Sequence, residues 1–182
     1  MTPGAGHRRS DGVRIQPMRW WHIGPVARLE RTVFGADAWS EELFWSELAQ
    51  GALRYYLVAV DDDGWDAPLG YGGMAAYAEE SYIQTLAVTP AGRGTGLGTR
   101  LLATLLSVAR ARGAAMCALE VRTDNAAAQS IYRKFGFRGA GVRRGYYQPS
   151  GADALVMVAD RIGATGYGKL LDRVLDSPVA PR

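Results

Sequence analysis

Two kinds of apolar spacing outline the secondary structure of the chain. Residues 13–18 alternate apolar and polar side chains as a strand does, whereas residues 20–34 place apolar side chains at helical intervals. Pro25 lies in the second stretch, so a regular helix must begin close to it. Ser40 is a suitable N-cap, which predicts a second helix that continues to about residue 49.

The remainder of the pattern predicts a mixed α/β fold. Strand-like runs occupy residues 55–60, 69–78, 81–88 and 116–122, and the turn-rich segment DDDGWDAP at residues 61–68 separates the first two. Helices are predicted at residues 96–112 and 125–135, and two more strands follow the second of them. Short connections between the early strands imply antiparallel pairing. The predicted order is β-α-α-β-β-β-α-β-α-β-β, a mostly antiparallel twisted sheet of about seven strands with about four helices.

The ends of the chain differ from its middle. Residues 1–12 are polar and contain glycines, and we expect them to be disordered. Residues 13–160 form the predicted domain, which accounts for most of the 182 residues. Residues 161–182 are predicted to be a tail with a short amphipathic stretch at residues 169–175.

Composition narrows the class of protein. No apolar run approaches the roughly 18 residues that cross a bilayer, and the N-terminus lacks the apolar core of a secretory signal, so we expect a cytoplasmic protein without a membrane partner. The single cysteine, Cys117, and two histidines, His7 and His22, cannot form the usual Cys/His zinc site, and we expect no metal. The net charge of +3 comes without an aromatic-interleaved RNA motif, which argues against nucleic acid and is compatible with a polyanionic cofactor.

A glycine-rich turn follows the strand at residues 81–88. Residues 86–98 read LAVTPAGRGTGLG and lead into an amphipathic helix. Glycines allow several backbone N–H groups to point into one concavity, and the helix N-terminus adds positive potential, so a diphosphate fits there. A tight β-to-α connection without a ligand is the alternative. A Walker A loop is excluded because no Gly-Lys-Ser/Thr is present, and a dinucleotide fingerprint should open an early parallel β-α-β unit.

Two titratable residues stand out beyond that loop. In the strand MCALEVR, Glu120 faces away from Cys117, Leu119 and Val121, and it is either a solvated or ion-paired glutamate or a functional carboxylate. Tyr132 flanks the packed face of the following helix, where it is either a core aromatic or a proton donor.

The turn RGTGLG matches the pattern of the GNAT acetyltransferase superfamily, namely Arg or Gln, two residues, Gly, one residue, then Gly or Ala. The segments LAVTP, RGTGLGTRLL, LEVRTDNAAAQSIYRKFGF and RRGYYQPSGADALVM resemble the RimI group, the ribosomal-protein alanine N-acetyltransferases. The resemblance covers residues 13–160. It implies the GNAT fold and acetyl-CoA as co-substrate.

The resemblance also implies where acetyl-CoA binds. The strand backbone at Leu86, Ala87 and Val88 would bond the pantetheine arm, and Asn125 would help to place the cofactor near its thioester. The residues expected around the pyrophosphate are Arg93, Gly94, Thr95, Gly96, Leu97, Gly98 and Thr99. Arg93 adds charge near the phosphates in this interpretation, and a solvated arginine is the alternative.

Catalytic roles follow from the same resemblance. Glu120 would act as general base on the acceptor amine, in a pocket that is only half solvated, and Tyr132 would protonate the departing thiolate. Transfer would be direct, without a covalent enzyme intermediate. Cys117 is then a packing residue rather than a nucleophile.

The acceptor is expected between residues 35–40 and residues 146–151. Trp39, Tyr146 and Tyr147 offer rigid aromatic surfaces for an extended peptide, although they could equally close a small core. The implied acceptor is a protein N-terminal α-amine, that of ribosomal protein S18 as in the RimI group. A lysine side chain or small amine is the alternative acceptor, and a non-enzymatic acetyl-CoA-sensing module is a further possibility.

Overall fold

The computed structural model describes residues 12–61, 64 and 66–177. Apart from Gly12, the predicted disordered segment lies outside the described residues. The main elements are β1 (Arg14–Pro17), α1 (Ile23–Phe34), α2 (Glu41–Ala49), β2 (Arg54–Val60), β3 (Gly70–Tyr77), β4 (Glu80–Val88), α3 (Leu97–Ala111), β5 (Met116–Arg122), α4 (Ala126–Lys134), β6 (Arg138–Arg143), β7 (Ala154–Ala159) and α5 (Thr165–Asp176). The predicted order is confirmed, with α5 as an additional helix.

The seven strands of the described residues form one sheet in the order β1-β2-β3-β4-β5-β7-β6. Every pair is antiparallel except β4 with β5, which confirms the mostly antiparallel prediction. Within the described ranges, no helix has the length and apolar character needed to cross a membrane.

The parallel pair β4–β5 is joined along only part of its length. Pairing runs from Glu80 opposite Met116 to Ile83 opposite Leu119 and then stops. At this point β4 carries a bulge, since Gly73 of β3 pairs with Thr85 while Met74 pairs with Ile83 and leaves Gln84 as the extra residue. A bulge bends its strand and increases the local twist. The rest of β4 therefore has β3 on one side and a gap on the side of β5.

Two apolar clusters hold helices on the sheet. The cluster around α3 includes Leu101, Leu105 and, from β5, Leu119, whereas the cluster around α1 and α2 includes Val26 and Phe44. These are the two faces of the sheet, because strand residues in the two clusters alternate along β2.

Gly72 allows α3 to approach the sheet closely. A Cβ at this position would lie 2.9 Å from Leu86 Cδ1 and 3.0 Å from Leu105 Cδ1. Both distances are shorter than a normal van der Waals contact, so a larger residue would displace these two leucine side chains. The absence of a Cβ on Gly72 thus helps to seat α3 beside β4.

The position of Pro25 in α1 explains how a proline is tolerated there. It is the third residue of this helix, which begins at Ile23 after a short 3-10 turn. First-turn N–H groups have no intrahelical acceptor, so the missing N–H of proline costs nothing here.

The predicted amphipathic stretch belongs to the additional helix α5. Leu171 is buried against the α3 cluster, and the Tyr167 hydroxyl donates a 2.7 Å hydrogen bond to the Phe135 carbonyl. The prediction missed α5 as a full helix because its first turn, TGYG, contains two glycines, which disfavour helix.

Candidate active site

A cavity of about 450 Å³ opens where β4 and β5 diverge. Both candidate catalytic residues and all three candidate acceptor residues lie on its wall, namely Glu120, Tyr132, Trp39, Tyr146 and Tyr147. The loop after α1 and the loop between β6 and β7 cover the cavity. Residues that are far apart in the sequence are thus brought to one site, while their roles stay predictions.

Glu120 is placed at the opening by the end of strand pairing. It follows Leu119, the last β5 residue that pairs with β4, and it still pairs with Val156 of β7 on the other side. Its side chain is 22% exposed, and its Oε1 forms a 2.9 Å ion pair with Arg143 Nη1. The ion-paired alternative is therefore present in the structure, and the carboxylate also lines the cavity.

Tyr132 belongs both to the core and to the cavity wall. It is 7% exposed, and its ring centroid lies 5.9 Å from that of Phe137. Burial holds the pKa of its phenol well above the usual value, with smaller effects from Tyr147 and Cys117. Among the described residues, no hydrogen-bond partner is found for its hydroxyl. The phenol is therefore protonated at neutral pH and available to a ligand.

The aromatic residues of the two covering loops are held in place by specific contacts. Trp39 packs its ring 5.6 Å from Phe44. The rings of Tyr146 and Tyr147 meet edge to face at 5.1 Å, and burial raises the pKa of Tyr147 to about 12. These rings are rigid surfaces on the cavity wall, and the Tyr147 hydroxyl donates to the Glu120 backbone carbonyl at 3.4 Å.

Asp37 joins the two covering loops, a contact that the sequence did not predict. Its Oδ1 accepts from the Ser150 backbone N–H at 3.0 Å, and its Oδ2 accepts from the Ser150 hydroxyl at 2.6 Å and from Arg122 Nη1 at 3.2 Å. The Ser150 hydrogen bonds, followed by Arg122, hold the pKa of Asp37 below its usual range. Asp37 and Ser150 are 113 residues apart, so no local signal could reveal this contact.

A second missed residue is Glu30 of α1, which is buried in the cavity wall. Its Oε1 accepts a 3.0 Å hydrogen bond from the Trp39 backbone N–H. Burial raises the pKa of Glu30 to about 7, although the Trp39 hydrogen bond opposes this shift. A signal did exist in the sequence, because Glu30 lies four residues after Val26 and three after Ala27, on the apolar face of the helix.

Two glycines of the glycine-rich loop have left-handed backbone conformations. Gly94 and Gly96 have φ values of +79° and +86°, and a Cβ at either would meet nothing within 4 Å. Backbone conformation, rather than crowding, requires glycine at both positions. At the start of α3, the Arg100 N–H donates a 3.0 Å hydrogen bond to the Gly96 carbonyl.

Comparison with known proteins identifies the family. A family model described as the Acetyltransferase (GNAT) family matches residues 20–137. The chain belongs to the GNAT acetyltransferase family. It is 41% identical over 139 residues to the N-alpha-acetyltransferase RimI of Mycobacterium tuberculosis, covering 74% of this chain and 84% of that protein.

Further similarities point in the same direction. The chain is 35% identical over 130 residues to the ribosomal protein bS18-alanine N-acetyltransferase of Escherichia coli K12, covering 67% of this chain and 80% of that protein. The crystal structure of the ribosomal-protein-S18-alanine N-acetyltransferase from Escherichia coli superposes with a TM-score of 0.70 at 29% identity, covering 80% of this chain and 91% of that one. The predicted resemblance, GNAT fold and acyltransferase class are confirmed.

GNAT proteins use acetyl-CoA, and two features of this chain fit that co-substrate. Among the described residues, the N–H groups of Leu97, Gly98 and Thr99 find no acceptor, as a phosphate-binding helix N-terminus requires. Among the described strands, none pairs with the gap side of β4 after Ile83, which leaves backbone groups for an extended ligand. No cluster of metal-binding side chains is found in the described part of the chain.

The predicted cofactor residues are spread along this gap rather than around one cavity. Leu86 and Asn125 line the cavity, whereas the loop from Arg93 to Thr99 lies beyond the end of β4. Ala87 and Val88 pack into the core on opposite faces, so only their backbone groups are available to a ligand. Arg93 is exposed, and Asn125 uses its side-chain oxygen to cap α4 through the Ala128 N–H at 3.0 Å.

Proposed function

We propose that this GNAT protein transfers the acetyl group of acetyl-CoA to the N-terminal α-amine of a protein, with ribosomal protein S18 as the acceptor. The observation that carries the proposal is the meeting of Glu120 and Tyr132 on one cavity between the two aromatic loops. Relatives named for acetylation of the S18 N-terminus support the choice of acceptor. The location that goes with a ribosomal acceptor is the cytoplasm.

The co-substrate would lie along the unpaired side of β4. Backbone groups of Leu86, Ala87 and Val88 would bond the pantetheine arm, and residues 94–99 would hold the pyrophosphate through their free N–H groups. Arg93 would add positive charge near the phosphates, and Asn125 would contact the ligand close to the cavity. When bound, acetyl-CoA supplies an activated acyl group.

Glu120 would act on the acceptor amine. A protein α-amine has an ordinary pKa of about 8, so it is largely protonated at neutral pH, and only its neutral form is a nucleophile. The Glu120 carboxylate lines the cavity, so it can take the proton either directly or through a water molecule. The neutral amine would then form the C–N bond as the C–S bond breaks, and the second proton that its nitrogen loses would restore the Tyr132 phenol through water.

Tyr132 would act on the leaving group. Its high pKa keeps the phenol protonated, so it enters the reaction as a hydrogen-bond donor. A thiolate that forms within reach of this hydroxyl can accept its proton, which yields neutral CoA thiol. Only 7% of Tyr132 is exposed, which limits the competition from water for this hydroxyl.

Trp39, Tyr146 and Tyr147 would hold the first residues of the acceptor chain. All three residues line the same cavity as Glu120, and the Tyr147 hydroxyl donates to the Glu120 backbone carbonyl. Asp37 fixes the two covering loops to each other, so the acceptor must enter as a narrow, extended segment. A flexible protein N-terminus meets this requirement.

The proposal is tested by measuring CoA release with three classes of acceptor. These are peptides with free N-termini, peptides with blocked N-termini and one lysine, and small amines, all with acetyl-CoA. Turnover of the free N-termini alone is the expected result. Turnover of the lysine peptides alone, or of the small amines alone, would show that the acceptor is not a protein N-terminus. No turnover with any acceptor would contradict the enzymatic function.

A further inference from the structure

Glu30 has one carboxylate oxygen without a partner. The residue is 2% exposed, and its Oε1 accepts the Trp39 N–H. Its Oε2 is buried and makes no hydrogen bond to any described residue. Burying a carboxylate oxygen without a donor is unfavourable, so such an atom in a cavity wall indicates a missing partner.

No ion pair to Glu30 is found in the described part of the chain. The ion pairs there involve other carboxylates. Glu30 also raises the pKa of the Tyr56 phenol of β2, as the smallest of several causes. Glu47, on the neighbouring helix α2, is a direct contrast. It is 7% exposed and accepts from Arg54 Nε at 2.6 Å and from the Tyr56 hydroxyl at 2.9 Å. Burial alone therefore does not explain why Glu30 lacks a donor.

The position of Glu30 suggests what the donor is. It lines the same cavity as Glu120 and the Trp39 ring, where the acceptor amine is expected. Its burial raises its pKa to about 7, so a nearby cation would readily favour the charged carboxylate. An ammonium group is both a cation and a donor of three hydrogen bonds.

We propose that Glu30 is an acceptor-binding residue whose Oε2 accepts a hydrogen bond from the ammonium group of the acceptor before Glu120 deprotonates it. This inference rests on the proposed function, because it requires a cationic amine as substrate. It also predicts that the acceptor binds more tightly than the acetylated product. The acetylated product has an uncharged amide with a single N–H, so it loses the charged interaction and is held less strongly.

Glu30→Gln separates this role from a structural one. The amide oxygen of glutamine can still accept the Trp39 N–H, while an NH₂ group replaces Oε2 and cannot accept from an ammonium. The matched control is Glu47→Gln, which alters a buried glutamate whose Oε2 already has protein donors. The ligands are one peptide with a free α-amine and the same peptide with an acetylated N-terminus.

The experiment measures both affinities by calorimetry on the full chain saturated with CoA. The wild type and Glu47→Gln should bind the free amine about 10-fold or more tightly than the acetylated peptide, and Glu30→Gln should lose most of this preference with its CoA affinity unchanged. Turnover by Glu30→Gln should show a higher KM for the acceptor with a smaller change in kcat.

Two results overturn the inference. One is an unchanged preference for the free amine in Glu30→Gln. The other is equal affinity of the wild type for the two peptides. This second result contradicts the inference even if Glu30→Gln does not fold. Failure of the proposed function has a different signature, because the wild type would then release no CoA with any protein N-terminus.

Discussion

Arg143 Nη1 lies 2.9 Å from the Glu120 carboxylate, so the candidate base is paired with a cation of the protein itself. The Arg143 guanidinium also lies 5.7 Å from the centre of the Tyr146 ring. An acceptor ammonium that approaches Glu120 has the same sign of charge as this guanidinium. The two cations therefore compete for one carboxylate.

Replacing Arg143 by Met should help the acceptor to bind. Arg143 is 58% exposed, and exposed ion pairs contribute little, so we expect the acceptor KM to fall by only about two- to threefold. Steady-state kinetics at low salt measures this effect. Arg138→Met is the matched control, since its pair with Asp160 is also exposed and neither residue lines the cavity. An acceptor KM that rises in Arg143→Met would contradict the competition.

Tyr132→Phe should lower kcat by about 10²- to 10⁴-fold, the usual contribution of a positioned proton donor. The fold should be retained, because the ring contact with Phe137 remains and the hydroxyl makes no hydrogen bond to the described residues. Single-turnover measurements of CoA release, with acetyl-CoA affinity measured separately, test this. A Tyr132→Phe variant with normal kcat would remove the phenol from the reaction.

Gly96→Val should weaken acetyl-CoA binding. Gly96 has φ of +86°, which a β-branched residue adopts only with strain, so the loop before α3 must change shape. Gly113→Val is a matched control at the other end of α3, with φ of +91° and, like Gly96, open space where a Cβ would lie. Both variants should lose stability, and only Gly96→Val should raise the acetyl-CoA Kd. If Gly96→Val and Gly113→Val bound acetyl-CoA with the same Kd, the loop that contains Gly96 would not be the cofactor-binding loop.

The buried Glu30 predicts a pH-dependent stability. Its pKa is raised from 4.5 to about 7 in the folded protein, so the unfolded chain releases this proton more readily. Proton binding by Glu30 therefore makes its whole contribution to the free energy of unfolding below about pH 4.5. This contribution declines by up to ~3 kcal/mol as pH rises through 7. Urea unfolding from pH 5 to 8 measures it, and Glu30→Gln should flatten this dependence. A Glu30→Gln profile parallel to that of the wild type would contradict the assignment.

Periodicity predicted most of the fold because each element buries one face. The strand at residues 116–122 has the bounds that were predicted. Its alternation placed the Glu120 side chain on the other face from Leu119 and Val121. Helix α5 was underestimated because TGYG disfavours helix, and its packing on α3 compensates for that local preference.

The site was harder to predict because its contacts are long-range. The bulge at Gln84 arises from register against β3, and no local feature marks it. Likewise, the pairing of Asp37 with Ser150 joins two loops, and that of Glu120 with Arg143 joins strands β5 and β6, which come together only in the folded chain. Glu30 is the exception, since a glutamate on the apolar face of α1 was visible in the sequence.

Glu120→Gln should lower kcat by about 10²- to 10⁴-fold, because the amide cannot accept the proton of the acceptor ammonium. The acetyl-CoA affinity should be unchanged, since Glu120 lies at the cavity and not at the loop that begins with Arg93. Calorimetry with acetyl-CoA provides the control. Wild-type kinetics in Glu120→Gln would exclude it as the base.

Mass spectrometry of a single acceptor shows directly whether the acetyl group goes to a protein α-amine. The acceptor is the N-terminal peptide of ribosomal protein S18 extended to include one lysine, so both kinds of amine compete in the same molecule. After incubation with the full chain and acetyl-CoA, fragmentation locates the acetyl group. We expect acetylation of the α-amine and an unmodified lysine, with little product from Glu120→Gln. Acetyl on the lysine alone, or no acetylated peptide, would contradict the proposed function.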